Sequence, residues 1–242
     1  WRRSAISCDA TSACSARGKL AMRVRGEALD FITYIRENRE RFTELLIQHL
    51  ELTVYSVLLA VLIAVPLAIL ASRVELLAKP LTWLGAIGQT IPSLAILALT
   101  LGWLGIGFRP SLVALTIRAV LPIFLNTYVG IRNADRSVID AARGMGTSGA
   151  QLLFLVELPL ASPVLFAGIQ TATVQTVGLA TLAAYIGGGG LGDLILQGLA
   201  MVDYPILLAG AIPVALLAIA AELLLGGLRR LVIPAGLQTE GR

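Results

Sequence analysis

The sequence predicts an all-α, polytopic membrane protein, and three observations carry that prediction. Of 242 residues, 57% are hydrophobic and only 14% charged, where a soluble domain keeps about a quarter of its residues charged. Mean hydropathy is +0.83. Five stretches are apolar over the length needed to cross a hydrocarbon core, about 20 residues: 50–71, 81–104, 112–131, 160–186 and 206–228. Each is expected to be a helix, because backbone groups in lipid must be satisfied within their own segment. Their charged residues are Glu51 at an edge, Arg118 in the third and Glu222 in the fifth.

The parts before and after the spans read differently. Residues 1–27 mix Arg, Ser, Cys and Gly without an apolar run of signal-peptide length, and are expected to be a disordered tail or start-site extension, with Met22 as the candidate native start. Over 28–47, Leu29, Ile32, Ile35, Phe42, Leu45 and Leu46 recur at helical spacing opposite Arg36, Glu37, Arg39, Glu40 and Arg41. That pattern predicts an amphipathic helix lying in the membrane interface and leading into the first span. The membrane domain is expected over 48–232, with a C-terminal tail at 233–242. Pro66, Pro92, Pro122 and Pro213 fall inside spans and are expected to kink them.

Charge sets orientation. The connection 72–80 holds Arg73 and Lys79, the third connection holds Arg132, Arg136 and Arg143, and the C-terminal end holds Arg229 and Arg230; the second has only Arg109 and 187–205 has none. The positive-inside rule therefore puts the third connection and the C-terminus in the cytoplasm. With five spans the N-terminus falls outside, and Arg36, Arg39 and Arg41 count against that. The net charge of +4 reflects this loop bias; there is no basic face with interleaved aromatics, so nucleic acid is not an expected partner. Cys8 and Cys14 are the only cysteines, and no Cys/His cluster has metal-ligand spacing.

The third connection, 132–159, is the most structured loop in the sequence. Asp140, Ala141 and Ala142 are expected to begin a short helix with a small-residue surface, after which Gly144 and Gly146 supply the freedom to turn. Ser148 with Gln151 reads as a capping box that starts a second helix, and Pro159 is expected to end it. An ordinary cytoplasmic loop with a glycine turn is the plain alternative.

Asp140, Ala141, Ala142, Gly146, Val156, Leu158 and Pro159 together resemble the EAA loop of the membrane subunits of ATP-binding-cassette importers, with Asp140 and Val156 where that family more often has Glu and Ile. The resemblance implies a type I importer permease (MetI-like) fold. It implies that the helix around Asp140, Ala141, Ala142, Gly144, Met145 and Gly146 docks in a groove of a separate ATPase. No Walker motif is present, so the chain itself is not expected to be an enzyme; it would bind no cofactor, ATP and Mg being handled by the partner ATPase.

Other stretches offer chemistry with plain alternatives beside it. Gly187, Gly188, Gly189, Gly190 and Asp193 lie in the fourth connection. Their formal G-x-G-x-x-G lacks a preceding strand and any Gly-Lys-Ser/Thr, so a nucleotide site is discounted; a flexible outer elbow and a plain reversal both remain. Gln170, Thr171, Thr173, Gln175, Thr176 and Thr181 make the fourth span the most polar, and they are expected to face other helices or a watered path. Gly168 with Ala172, and Ala180 with Ala184, permit close helix contact. Gln89 and Asn126 are similar path candidates. Arg118 is expected either to snorkel to the outer interface or to contact a carboxylate in the path. His49 and Glu222 are read as interfacial and given no role.

The likeness extends over about 31–238. Gln-Thr-Ile-Pro-Ser-Leu-Ala-Ile-Leu-Ala from Gln89, Leu-Pro-Ile from Leu121, Asn-Thr-Tyr from Asn126 and the run from Ala180 to Asp193 resemble permease subunits of osmoprotectant importers. The resemblance implies quaternary amines as cargo: glycine betaine, choline or carnitine. Leu125 and Gln170 stand where many such proteins have Arg, and Arg118 shares nearly one face with Leu125. A quaternary ammonium is held best by aromatic faces, which makes Tyr128 and Tyr185 further path candidates. The implied partners are ATPase subunits, a periplasmic or lipid-anchored substrate-binding protein, a second permease copy and the lipid bilayer of a bacterial cytoplasmic (inner) membrane. An importer permease for another solute such as methionine shares the hairpin, and a secondary transporter or channel is the rival from another class.

Overall fold

The computed structural model describes residues 31–232, all helices and connections; the expected tails at 1–27 and 233–242 lie outside that range. A short helix α1 (31–37) precedes α2 (Arg39–Arg73). Then come α3 (Glu75–Thr90), α4 (Ser93–Leu104), α5 (Phe108–Arg132), α6 (Arg136–Gly144), α7 (Gly149–Leu152), a π-helical turn (Leu153–Glu157), α8 (Leu158–Ala180), a 3-10 turn (Thr181–Ile186), α9 (Gly192–Met201) and α10 (Tyr204–Val232). Among the described residues four segments are long and apolar enough to span a membrane unaided, and α3 with α4 meets the same criterion as a bent pair, for four to five candidate spans.

Helix α5 is the centre, packed most extensively against α2 and α8. Small residues bring these backbones together, as they do wherever water cannot drive helix association. Ala60, Ala64, Ala68 and Ala71 form a buried stripe on α2 facing Ala119, Ile123 and Phe124 of α5 and Ala172 of α8. At the α5–α8 crossing a Cβ added to Gly168 would stand 2.7 Å from the Asn126 Cβ. The spacing of Gly168 and Ala172 does permit close contact, and both are buried.

Three expectations need correction. The stretch 28–47 does not form a separate interfacial helix: its described part breaks at Asn38, and from Arg39 onward it is continuous with the first span. That rod has 35 residues, about 50 Å at 1.5 Å each, longer than a hydrocarbon core of about 30 Å. Its polar first turns can therefore lie beyond the lipid without a break. The span 81–104 is not a kinked helix but two helices bent by 101°. Pro92 disfavours helical geometry at Ile91, and both adopt extended angles (ψ 127° and 132°).

Pro159, finally, does not end a helix. It sits in the first turn of α8, where a missing amide hydrogen is tolerated, and the π-helical turn before it carries the chain on without interruption. The π-turn is a single-turn register shift of the kind that accommodates such a residue.

The bent pair still crosses the bundle. It leaves from Arg73, whose guanidinium pairs with Glu157 beside the hairpin, and finishes at Gly107, whose amide donates to the Ile186 carbonyl at 2.8 Å at the far end of α8. Arg41 of α2 reaches Gln197 Oε1 of α9 at 3.0 Å at that same far end. The start of α2 thus shares an end with the arginine-free connection 187–205, the arrangement five crossings require.

Candidate functional site

The hairpin begins earlier than its sequence pattern suggests. Asp135 caps α6, its Oδ1 accepting from the Ser137 amide and hydroxyl at 2.8 Å each. These bonds hold the Asp135 carboxyl below its ordinary value. Asp140, Ala141 and Ala142 are therefore in the middle of α6, not at its start. The helix ends at Gly144, and Gly146 (φ +84°) makes the turn in a region that L-residues avoid. The second helix opens with the expected capping box: the Ser148 amide donates to Gln151 Oε1 at 2.9 Å, and the Gln151 amide returns to Ser148 Oγ at 3.4 Å.

Only Ala142 of α6 is buried. Val138 (43% exposed), Ala141 and Met145 (81% exposed) stand one helical face apart from it, spaced three and four residues, and form a short apolar stripe on the hairpin's open side. Asp140 lies beside the stripe and approaches Arg143 at 3.9 Å. Val138 was absent from the motif-based candidates, although its spacing to Ala141 and Met145 marks it. Ala142 instead faces inward and its carbonyl accepts from Thr147 Oγ1 at 2.8 Å.

Behind the stripe, a cavity of about 280 Å³ separates α6 from the ends of α2 and α5 and is lined by Arg73, Arg132, Arg136, Asp140, Arg143 and Glu157 among others. On its wall Arg73 Nη1 donates to Glu157 Oε1 at 3.2 Å and Nη2 to Oε2. Glu157 is 4% exposed. The fork ties the first span to the π-turn at the root of α8.

The path candidates do not converge on one site. Arg118 neither snorkels outward nor meets a carboxylate within the chain: Nη1 donates to the Gly88 and Gln89 carbonyls at 3.2 and 3.1 Å. Those carbonyls belong to the last turn of α3 and lose helical partners at the Pro92 break, so the guanidinium caps a helix C-terminus. Asn126 donates to the Pro122 carbonyl of its own helix at 2.8 Å, and Tyr128 stacks on Phe124 with centroids 6.2 Å apart. Thr173, Thr176 and Thr181 satisfy their hydroxyls on carbonyls of their own chain three or four residues back, so they need neither another helix nor water. Thr171 and Gln175, one turn apart, are exposed on α8, as is Tyr185 beyond it. Gln170 turns to α10, donating Nε2 to Glu222 Oε1 at 2.7 Å. Glu222 thus has a partner that the sequence did not reveal.

The glycine run is clasped. Gly187, Gly189 and Gly190 have φ of +70°, +75° and +85°. A Cβ at Gly188 would overlap Ser111 Oγ and stand 2.9 Å from Ala183. The Gly190 amide donates to Gln48 Oε1 at 3.3 Å. Glycine is required here for close approach to α2 and α5, and a flexible elbow is not what these contacts describe. His49 lies under the run and is 1% exposed; its Nε2 is 3.1 Å from the Val177 carbonyl. Asp193 begins α9, where burial raises its carboxyl above the ordinary range and the nearby Arg41 partly offsets this. Among the described residues no group of His, Cys, Asp or Glu could hold a metal ion.

The structure is an all-helical bundle with a capped hairpin on its arginine-rich end, whose α6 carries an exposed apolar stripe and whose root is tied to the first span by the Arg73–Glu157 fork. The chain belongs to the binding-protein-dependent transport system inner membrane component family, whose model matches residues 56–234. Among its relatives, the choline transport system permease protein OpuBB of Bacillus subtilis is 44% identical over 191 residues, 79% of this chain and 88% of that protein. The osmoprotectant import permease protein OsmW of Salmonella typhimurium is 38% identical over 215 residues, 87% of this chain and all of its own length. The fold is similar to a chain of the MetNI methionine ABC transporter in an inward-facing form, with a TM-score of 0.74 at 20% identity, covering 82% of this chain and 99% of that one. The chain is a permease subunit and not an enzyme; ATP is hydrolysed by a separate ATPase. Family membership implies ATPase and substrate-binding partners.

Proposed function

We propose that this chain forms the pathway by which a bacterium imports quaternary-amine osmoprotectants (glycine betaine, choline or carnitine) across its cytoplasmic membrane. The observation that carries this reading is identity of 37–44% along most of their length to permeases named for those solutes, together with a complete hairpin. A periplasmic or lipid-anchored protein would deliver the solute, and two permease copies would face two ATPases. Closure of the ATPases would push on α6 through Val138, Ala141 and Met145; the Arg73–Glu157 fork and the unbroken π-turn would pass that push to α2 and α8. Thr171, Gln175 and Tyr185, exposed on the protomer, are the candidates for the path.

Reconstitution with the ATPase and binding protein tests the reading. The expected result is ATP-dependent uptake of labelled betaine, choline or carnitine. Uptake of methionine alone would move the chain to another branch, and uptake that persists without ATP would make it a secondary transporter or channel.

A further inference from the structure

Helix α10 has 29 residues, and Glu222 is the one acid among them. Two turns separate it from Arg229, so it lies about 10 Å inside the helix end that those arginines mark. Its Oε1 accepts from the Gln170 amide at 2.7 Å, and the same Nε2 is 3.4 Å from the Glu222 carbonyl. Gly226, one turn along, lies on the same side of α10, where a Cβ would stand in ordinary contact with that amide at 3.7 Å. The partner is therefore a neutral amide, which orients the carboxylate without neutralising it. Helix α8, which supplies Gln170, carries no charged residue between Leu158 and Ala180. Arg118, the other charge deep in a span, is committed to the Gly88 and Gln89 carbonyls.

Glu222 is exposed on the protomer. A carboxylate held toward hydrocarbon is costly, so an exposed one within a span faces a watered cavity or a cation. A quaternary ammonium has no N–H to donate, so among polar groups it is recognised through charge, and a fixed carboxylate suits it. A zwitterion brings its own carboxylate and gains less.

We propose that Glu222, oriented by Gln170, is a cation-selecting group in the solute path, so that the permease passes quaternary amines of net positive charge in preference to zwitterions. This rests on the osmoprotectant reading above. The test is the reconstituted complex with saturating loaded binding protein, comparing maximal uptake of choline, a cation, with that of glycine betaine, a zwitterion. Glu222→Gln should lower choline uptake about tenfold and change betaine uptake less than twofold, while Glu222→Asp keeps most of the choline rate. An equal loss of both solutes, no loss of either, or dissociation of the permease dimer in Glu222→Gln would overturn the assignment. If the unmodified complex carries neither of these nor carnitine, the osmoprotectant reading itself has failed, and that is visible before any variant is made; uptake of carnitine alone, a zwitterion, would overturn the present assignment instead.

Discussion

Arg73 and Glu157, 84 positions apart in the chain, meet as a two-pronged pair between the end of the first span and the root of α8. The two partners are unequal: the Glu157 side chain is 5% exposed and that of Arg73 39%. Removing the arginine strands a buried carboxylate, whereas removing the carboxylate leaves a guanidinium that water can reach. Arg73→Met should therefore lower stability by about 3 kcal/mol or more, and Glu157→Gln by about 1 kcal/mol. Thermal unfolding in detergent ranks the two, and the reverse order would mean that Glu157 is hydrated in solution.

The exposed stripe on α6 predicts a different phenotype. Val138 and Met145 are exposed on the protomer, so in Val138→Asp and Met145→Asp the permease should unfold close to its original temperature, within the roughly ±0.5 kcal/mol usual for surface changes. Co-purification of the ATPase should fall about tenfold or more. Ala142→Asp, facing inward, should instead destabilise the permease itself.

Gly146 separates backbone from docking effects. A Cβ there meets nothing within 4 Å, yet φ is +84°, so the cost of substitution is conformational, about 1–2 kcal/mol. Gly146→Val should loosen the turn and uncouple ATP hydrolysis from uptake, while Gly146→Asn, which tolerates that region, should retain most coupling. Equal activity of both variants would sink this account of the turn.

Close packing at the glycine run should be unforgiving. In Gly188→Ala the new methyl meets Ser111 Oγ and both the Cβ and carbonyl of Ala183, an overpacking of about 1–3 kcal/mol. Because the Ala183 backbone is one of the obstacles, adding Ser111→Gly should rescue only part of the lost melting temperature.

Asp193 makes stability depend on pH. Burial raises its carboxyl above the ordinary value of 3.8, so the folded state favours the neutral acid. Its contribution is fullest below that ordinary value and declines as pH rises through the raised one. Asp193→Asn should remove this decline and leave melting less dependent on pH on the acid side of neutrality. Asp135 acts oppositely: its lowered carboxyl stabilises the cap of α6 above the ordinary range, and that support is lost as pH falls through the lowered value.

Much of this architecture is legible in the chain, and the exceptions have a common cause. Apolar length identifies the spans because lipid leaves the backbone no other choice, and the capping box at Ser148 and Gln151 works through neighbours three residues apart. Pro92 was legible as a disturbance, but not as a bend of 101°, because its size depends on what receives the freed carbonyls of Gly88 and Gln89. The donor that reaches them is Arg118, 29 residues from Gln89. The polar residues of α8 looked alike in sequence; three threonines turned to their own helix, Gln170 to Glu222, and Thr171 and Gln175 to the outside.

Composition, periodicity and loop charge thus established a helical membrane protein, its spans and the helix-turn-helix hairpin, since each arises from interactions local in the chain or from the solvent around it. The packing of the bundle settled the rest: that Glu157 is gripped by Arg73, that the glycine run is wedged against Gln48, His49 and Ser111, and that Glu222 has Gln170 for a partner. Those pairs join residues from 52 to 142 positions apart, and no local pattern records which distant side chains the folded helices will bring within reach.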